Sequence, residues 1–286
     1  MASMRDIKRR KESIQSTQQI TKAMKLVSTV KLQRAKTRAE SSKPYFEKMY
    51  ETVQSILAKS GNIDHPYLVP NGSDRKAVIV VTSNRGLAGG YNNNVVKLIT
   101  DSGMPKEQID IYGLGRKGVE TLSRRGYHIE ADDSDIMNEP LFSDAVAIGK
   151  KVLDAYAAGE VGEIYLAYTV FKNTVVHIPK LVKLLPVEVD MTASEKTETK
   201  EAPMNYEPEA EESLDMIIPK YINSTIYGAF IEAVASENGA RMQAMDAATS
   251  NADEMISTLS LAYNRARQGA ITQELTEIIS GAEALN

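Results

Sequence analysis

Three glycines in the middle of the chain have the spacing of a nucleotide-binding turn. Gly113, Gly115 and Gly118 form the pattern G-x-G-x-x-G between the strand-like run "QIDIY" and the helix-like run "RKGVETLSRR". In a dinucleotide-binding domain such glycines admit the pyrophosphate to a helix N-terminus, and an acid about 20 residues later binds the ribose. Asp132 and Asp133 lie at that separation. A dinucleotide-dependent oxidoreductase is therefore one hypothesis for the function.

The context of these glycines also argues against an enzyme. "QIDIY" is the second strand of its segment, whereas the dinucleotide fingerprint usually follows the first strand. Both acids lie in "EADDSD", which is typical of a solvated loop, and no later segment is typical of a substrate-binding domain. The alternative is that the glycines only turn the chain tightly.

Other kinds of active site have little support in the sequence. The glycine-rich turns at 84–94 and 113–120 both lack the residue order of a P-loop. The chain contains no cysteine, which excludes disulfides, thiolate metal ligands and cysteine nucleophiles. His65, His128 and His177 lack metal-ligand spacing, and there is no G-x-S-x-G elbow. We therefore predict no metal site, and the dinucleotide turn remains as the candidate cofactor site.

Charge is distributed unevenly along the chain. Residues 1–38 contain eleven lysines and arginines against two acids, whereas residues 207–286 contain thirteen acids against four basic residues. This asymmetry predicts either an anionic partner for the basic end or pairing of the two ends. A basic helix followed by heptads is also typical of bZIP proteins, so nucleic-acid binding is a second alternative. The cations continue around the helix and the net charge is −4, which favours a solvated or protein-facing helix.

Glycine and proline are distributed so that both ends of the 286-residue chain can form long helices. No glycine precedes Gly61, no proline precedes Pro44, and no proline follows Pro219. At 1.5 Å per residue, residues 3–57 would extend roughly 80 Å and residues 210–284 roughly 110 Å. Helices of that length predict a coiled coil or an extended rod.

A row of small and apolar residues repeats in steps of three and four along the C-terminal segment, as in the seam of a left-handed coiled coil. Burial of a large aliphatic side chain gives about 1.5–3 kcal/mol, and an alanine or threonine gives much less. We therefore expect another protein to surround the helix pair; a compact helical bundle is the alternative. The row is Ile217, Tyr221, Ile231, Ala235, Met242, Met245, Thr249, Ala252, Ile256, Leu259, Tyr263, Ala266, Ala270 and Gln273, and a looser N-terminal row is Ile7, Ile14, Thr21, Ser28 and Ala35.

The middle segment alternates between strand-like and helix-like runs. Strand-like runs at 76–83, 108–112, 127–130 and 163–169 predict a mostly parallel sheet covered by helices. One or two edge strands are expected in 174–189, with interruptions at Pro179 and Pro186.

The predicted fold class is α/β plus coiled coil: a long antiparallel two-helix coiled coil from both termini with an inserted Rossmann-like α/β domain. The predicted domains are an N-terminal coiled-coil helix (1–60), the α/β domain (75–193), a mobile linker (194–208) and a C-terminal coiled-coil helix (209–286). No apolar run reaches the ~18 residues of a membrane helix, so a soluble intracellular protein is expected.

Both ends of the chain resemble the gamma subunit of the rotary, F-type ATP synthase. "SENGARMQAMDAATSNA" (236–252) and "IKRRKESIQSTQQITKAMKLVSTVKLQRAK" (7–36) are similar to segments of that family, and the order of helix, α/β domain and helix agrees. The resemblance covers nearly the whole chain. "ITQELTEIISGAEA" is similar to the family's C-terminal signature at Ile271, Thr272, Glu274, Glu277, Gly281 and Ala282.

This resemblance implies a central rotor shaft without catalytic residues and without a cofactor. In the family, the coiled coil enters the hexameric ring of alpha and beta subunits, and the α/β domain lies beside the epsilon subunit and the membrane c-subunit ring. Rotation presents a different face to each beta subunit in turn and couples proton flow to ATP synthesis or hydrolysis. These subunits are the expected partners, with no nucleic acid and with membrane contact only through the complex.

The resemblance also implies a location and a set of contact residues. Ala88 occupies a position where many relatives have cysteine, and the regulatory insertion of the chloroplast type is absent, so thiol control is not expected. With no transit peptide, a peripheral position on the cytoplasmic face of a bacterial cell membrane is expected. The residues expected to contact beta subunits are Lys22, Met24, Lys25, Arg241, Arg267, Gln268, Thr272 and Glu274.

Overall fold

A computed structural model of the chain describes residues 4–59, 65–187 and 210–283. The order of elements is a long helix, an α/β segment and a second long helix, as predicted. The predicted linker at 194–208 lies outside the described residues. The helices are α1 (Met4–Lys59), α2 (Tyr91–Thr100), α3 (Arg116–Arg124), α4 (Phe142–Ala157) and α5 (Ala210–Glu283), and the strands are β1 (Lys76–Val81), β2 (Ile109–Leu114), β3 (His128–Asp132), β4 (Glu163–Phe171) and β5 (His177–Leu185).

The chain divides into two compact units. Residues 30–240 form one, which we call the sheet unit. The residues up to Thr29 and those from Arg241 onward form the other, which we call the helix-pair unit. Helices α1 and α5 contribute residues to both units. The four-part division into domains remains a prediction.

The sheet has five strands in the order β3-β2-β1-β4-β5. The first four are parallel, and β5 runs antiparallel to β4 at the edge. Five of the six residues of β1 are buried, as is typical of a parallel strand with both faces covered. The interruption predicted at Pro179 is wrong, because Pro179 lies within β5 and pairs with Thr169. An edge strand tolerates proline since one of its sides has no neighbouring strand.

Each face of the sheet packs against a different set of helices. Side chains of a strand alternate between the faces, so Val78 and Val80 join a cluster with the apolar side chains of α2 and α3. Ala77 and Ile79 join the opposite cluster, with α4 and the beginning of α5. The result is a three-layer, Rossmann-like arrangement of helices around a mostly parallel sheet.

The first part of α5 belongs to the core of the sheet unit. Side chains spaced four residues apart lie on one face of a helix, and here that face is fully buried against the sheet. The adjacent row, predicted as coiled-coil seam, also contacts α1, because the rings of Tyr221 and Tyr50 are 6.3 Å apart. The buried residues of this face are Leu214, Ile218, Ile222, Ile226 and Phe230.

A half-buried acidic group, Glu163, links three neighbouring strands and predicts a fold that loses stability in acid. Burial raises the pKa of Glu163, but hydrogen bonds from Lys76 and from Lys183 (Nζ to Oε1, 2.9 Å) outweigh it and lower the pKa from 4.5 to about 2. Because the pKa is lowered in the folded state, Glu163 contributes to the free energy of unfolding above pH 4.5, and this contribution is lost as the pH falls toward 2. We expect this contribution to stability to be on the order of 2–3 kcal/mol.

Urea unfolding between pH 2 and pH 7, followed for the chain and for Glu163→Gln, measures this contribution. The variant should be less stable at neutral pH, and its unfolding free energy should change less between pH 4.5 and 2. Equal pH dependence in both proteins would contradict the prediction.

Candidate functional site

The three glycines of the G-x-G-x-x-G pattern are required by packing. Gly115 has φ +114°, and a Cβ atom there would lie 2.1 Å from the carbonyl oxygen of Thr82. A Cβ at Gly118 would lie 2.6 Å from Thr82 Oγ1, and one at Gly113 would lie 2.2 Å from Val119 Cγ2. All three distances are shorter than van der Waals contact. The β2–α3 turn is therefore pressed against the end of β1.

The amide groups that would hold a pyrophosphate are already bonded within the chain. At the start of α3, the N–H of Arg116 donates to Asn84 Oδ1 at 3.0 Å, and the N–H of Lys117 donates to the carbonyl of Ser83 at 3.0 Å. The N–H of Gly118 donates to Thr82 Oγ1 at 3.0 Å, and that hydroxyl donates to the carbonyl of Gly115 at 2.8 Å. Helix N-termini bind anions through free N–H groups, so this geometry does not support a phosphate site.

The two candidate ribose-binding acids are also engaged elsewhere. Asp132 accepts hydrogen bonds from the backbone N–H (3.1 Å) and the hydroxyl of Ser134. Asp133 is paired with Lys151 at 2.7 Å. The spacing of residues was correct for a dinucleotide site, but the geometry of the turn and of the acids does not support the oxidoreductase hypothesis.

The three histidines occupy unrelated positions. His65 is buried and lies 3.1 Å from Asp215. Burial lowers the pKa of His177, whose Nε2 would lie 2.5 Å from a Cβ at Gly239. His128 lies beside the carboxylates of Asp110 and Glu130 on the sheet. Sequence spacing could not show the contact with Asp110, because that residue is on another strand.

In the helix-pair unit, α1 and α5 run antiparallel and are joined by polar contacts. The hydroxyls of Thr21 and Thr249 are 2.8 Å apart. One helical turn further along α1, Lys25 Nζ lies 2.5 Å from Asp246 Oδ1, and on the other side Gln18 donates to Asp253. Higher numbers on α1 thus match lower numbers on α5, as the antiparallel prediction requires.

The seam of this unit is lined by small and flexible side chains. Met245 and Ala252 on α5 and Ser28 on α1 are 3–5% exposed. Thr21 is also buried, with Ile256 half-buried. The members of the predicted row that lie in this unit are therefore buried or half-buried as far as Ala266, whereas its last members, Ala270 and Gln273, are exposed.

The predicted contact residues fall into two groups. Lys25 is paired with Asp246 within the chain, Met24 is half-buried, and the Arg241 side chain is buried. The side chains of these three residues are therefore partly or wholly engaged in contacts within the chain. The second group is exposed on the helix surfaces: Lys22, Arg267, Gln268, Thr272 and Glu274.

The last part of α5 exposes apolar side chains as well as polar ones. Every described side chain from Arg267 to Ala282 is exposed. Ile271, Leu275 and Ile278 follow one another at helical spacing and are 49–63% exposed. Helix α1 likewise exposes Ile20 and Val27, at 60% and 57%. Contiguous apolar surface on a helix is typical of a protein–protein contact.

These observations define a class of protein. Among the described residues, the α/β segment presents no formed nucleotide site, whereas the paired terminal helices present apolar and charged side chains on their surfaces. The chain is thus of the class that acts through contacts with other proteins, on a Rossmann-like scaffold.

Comparison with known proteins identifies the family. The family described as ATP synthase matches residues 3–285. The chain is 66% identical to the ATP synthase gamma chain of Lachnoclostridium phytofermentans over 291 aligned residues, covering 100% of both chains. It is 43% identical to the sodium ion specific ATP synthase gamma chain of Acetobacterium woodii, covering 99% of each. The chain belongs to the ATP synthase gamma chain family.

Solved structures agree with the fold. A chain of the central stalk and c-ring structure of the Tetrahymena thermophila mitochondrial ATP synthase is 26% identical, with a TM-score of 0.57 over 80% of this chain and 99% of that chain. A chain of the Euglena gracilis mitochondrial ATP synthase has a TM-score of 0.68 over 99% and 94% at 18% identity, which supports the fold alone. The chain is accordingly a gamma-type subunit of an ATP synthase complex, and neither alternative function gains support.

Proposed function

We propose that the chain is the central rotor shaft of an F-type ATP synthase and has no catalytic site of its own. The observation that carries this proposal is the exposed surface of the helix-pair unit. Its seam is narrow and poor in large side chains, yet apolar residues such as Ile271 and Leu275 face outward. A surrounding ring of alpha and beta subunits would bury that surface, and each 100 Å² of apolar area so buried would contribute about 2.5 kcal/mol.

The two helices supply an asymmetric surface, which a rotor requires. Helix α1 exposes Lys22, Ile20 and Val27, whereas α5 exposes Arg267 and Gln268. A beta subunit that meets one face is thus offered different charges and shapes from a beta subunit that meets the other. Only such differential contacts can shift a subunit between open and closed states. Rotation would then convert the asymmetry into a sequence of states at the three beta subunits.

The exposed contact residues are proposed to act on beta-subunit loops. Arg267 can form a bidentate ion pair with a carboxylate, and Gln268 can donate and accept hydrogen bonds. The Thr272 hydroxyl donates to the carbonyl of Gln268 at 2.9 Å, so the hydroxyl oxygen can accept a hydrogen bond from a partner. Glu274 adds an acidic group to the same region.

The occupied contact residues are proposed to have a supporting role. Lys25 would have to exchange Asp246 for a beta-subunit acid, because its ammonium group already lies on that carboxylate. The buried Arg241 and half-buried Met24 would shape the helix pair rather than meet a partner directly.

The remaining partners and the location are proposals of the same kind. The epsilon subunit and the membrane c-subunit ring would bind the sheet unit, on the cytoplasmic face of a bacterial membrane. None of the described helices has the length and hydropathy needed to cross a bilayer. The proposed coupling ion is the proton, and the Acetobacterium woodii relative, named as sodium ion specific, makes the ion worth testing.

Reconstitution of the full ATP synthase in vesicles, with and without this chain, tests the proposal. An acid–base transition in sodium-free buffer should drive ATP synthesis only when the chain is present. ATP synthesis that does not depend on the chain would reject the rotor function. Synthesis that requires added sodium would reject only the choice of ion.

A further inference from the structure

Three potential metal ligands meet where β2 and β3 begin, at the amino-terminal edge of the sheet. Asp110 lies on β2 and is the register partner of His128 on β3. Glu130 follows His128 by two residues, at the bulge where the register of β2 and β3 shifts, and like His128 it is exposed. His128 Nδ1 is 3.0 Å from Asp110 Oδ1 and 3.8 Å from Glu130 Oε2. One ligand atom from each residue lies within 4.8 Å of the others.

These separations fit the coordination of a small divalent ion. Zn²⁺ binds imidazole nitrogen and carboxylate oxygen at about 2.0–2.2 Å, so two ligands of a tetrahedral site lie about 3.4 Å apart. The distances of 3.0 and 3.8 Å lie on either side of that value. The ion would take the place of the proton in the hydrogen bond between His128 Nδ1 and Asp110 Oδ1. Small rotations of the two half-exposed side chains, His128 and Glu130, would complete the geometry.

Asp110 is held in place for such a role. Its side chain is only 7% exposed, and the guanidinium of Arg75 donates through Nε to Oδ2 at 3.0 Å and through Nη2 to Oδ1. Carboxylates that bind metals are commonly fixed by a hydrogen-bond donor in this way. The positive charge of Arg75 opposes a second cation, but Glu130 supplies a further carboxylate. With neutral His128 the four groups retain one net negative charge.

We propose that Asp110, His128 and Glu130 form a binding site for a divalent transition-metal ion, with Zn²⁺ as the best fit. His128 would bind through Nδ1, with its proton on Nε2, and water would occupy the fourth position. One imidazole and two carboxylates suit Zn²⁺ better than Mg²⁺ or Ca²⁺, which prefer oxygen ligands alone. Arg75 orients Asp110 and does not touch the ion. The site is separate from the proposed contacts with beta subunits.

Calorimetric titration of the full, tag-free chain with Zn²⁺, and visible absorption with Co²⁺, test the site. We expect one ion per chain, half-saturated below about 100 µM, and a Co²⁺ spectrum of low coordination number. His128→Ala should weaken binding by about tenfold or more, and Glu130→Gln should weaken it severalfold. Both residues are exposed, so the variants should fold. Glu139→Gln, an exposed acid outside the cluster, is the matched control and should bind as the parent chain does.

Two results would overturn the proposal. One is the absence of stoichiometric binding at Zn²⁺ concentrations up to about 1 mM. The other is equal affinity in the chain, His128→Ala and Glu130→Gln, which would place the ion elsewhere. Neither result bears on the rotor function, because that function is measured with the assembled complex.

Discussion

Gly115→Ala is expected to destabilise the sheet unit by about 4 kcal/mol or more. A methyl group at this position would lie 2.1 Å from the backbone oxygen and 2.4 Å from the carbonyl carbon of Thr82. A backbone group cannot rotate away as a side chain can. The φ of +114° adds strain for any residue other than glycine. The whole β2–α3 turn would have to move away from β1, and the hydrogen bonds of Thr82 to Gly115 and Gly118 would be lost.

Urea or thermal unfolding of the variant measures this effect, and Gly86→Ala provides the control. Gly86 belongs to the other glycine-rich turn of the same sheet edge, and a Cβ there would meet no atom within 4 Å. We expect its stability to change by less than about 0.5 kcal/mol. A mild effect of Gly115→Ala, comparable with that of Gly86→Ala, would show that the turn is not fixed by this contact.

Arg267→Glu is expected to reduce ATP synthesis by about tenfold or more while the complex still assembles. Arg267 is exposed on the part of α5 where every described side chain is exposed, so the charge reversal should leave the fold of the chain intact. If Arg267 pairs with a beta-subunit acid only in some rotary states, the reversal replaces attraction with repulsion in those states. Loss of about 1.4 kcal/mol in one state corresponds to a tenfold change in its population.

Arg265→Glu is the matched control for this variant. Arg265 is also exposed and lies two residues earlier in α5, which places it about 200° around the helix axis from Arg267. ATP synthesis measured in vesicles and ATP hydrolysis measured on the purified complexes separate coupling from assembly. If both reversals reduce synthesis equally, the contact is not specific to the face that carries Arg267 and Gln268. If neither does, the assignment of Arg267 fails.

The general architecture could be predicted because it depends on local features of the sequence. The scarcity of glycine and proline near the termini predicted the long helices. The alternation of strand-like apolar runs with helix-like runs predicted the parallel sheet. The role of the first part of α5 could not be predicted in the same way. A row such as Ile218, Ile222 and Ile226 shows that one helix face is buried, but periodicity does not state whether a helix or a sheet covers it.

The candidate sites show the same limit of prediction from local sequence. Gly113, Gly115 and Gly118 had the spacing and the local context of a dinucleotide turn. Only the structure shows why glycine is needed, because Thr82, which follows β1, leaves no room for a Cβ at Gly115 or Gly118. The pairing of Lys25 with Asp246 joins residues separated by 221 positions. Likewise, Asp110 and His128 are neighbours only because β2 and β3 lie side by side. Contacts of this kind depend on tertiary structure, so no local sequence pattern predicts them.

The exposed isoleucines and leucine near the end of α5 have a consequence for the cell that makes this chain. A free subunit with Ile271, Leu275, Ile278 and Ile279 in water has a surface that favours self-association and recognition by chaperones and proteases. Its production would therefore have to be matched to that of the subunits that we propose to cover this surface. Any excess would be expected to aggregate or to be degraded.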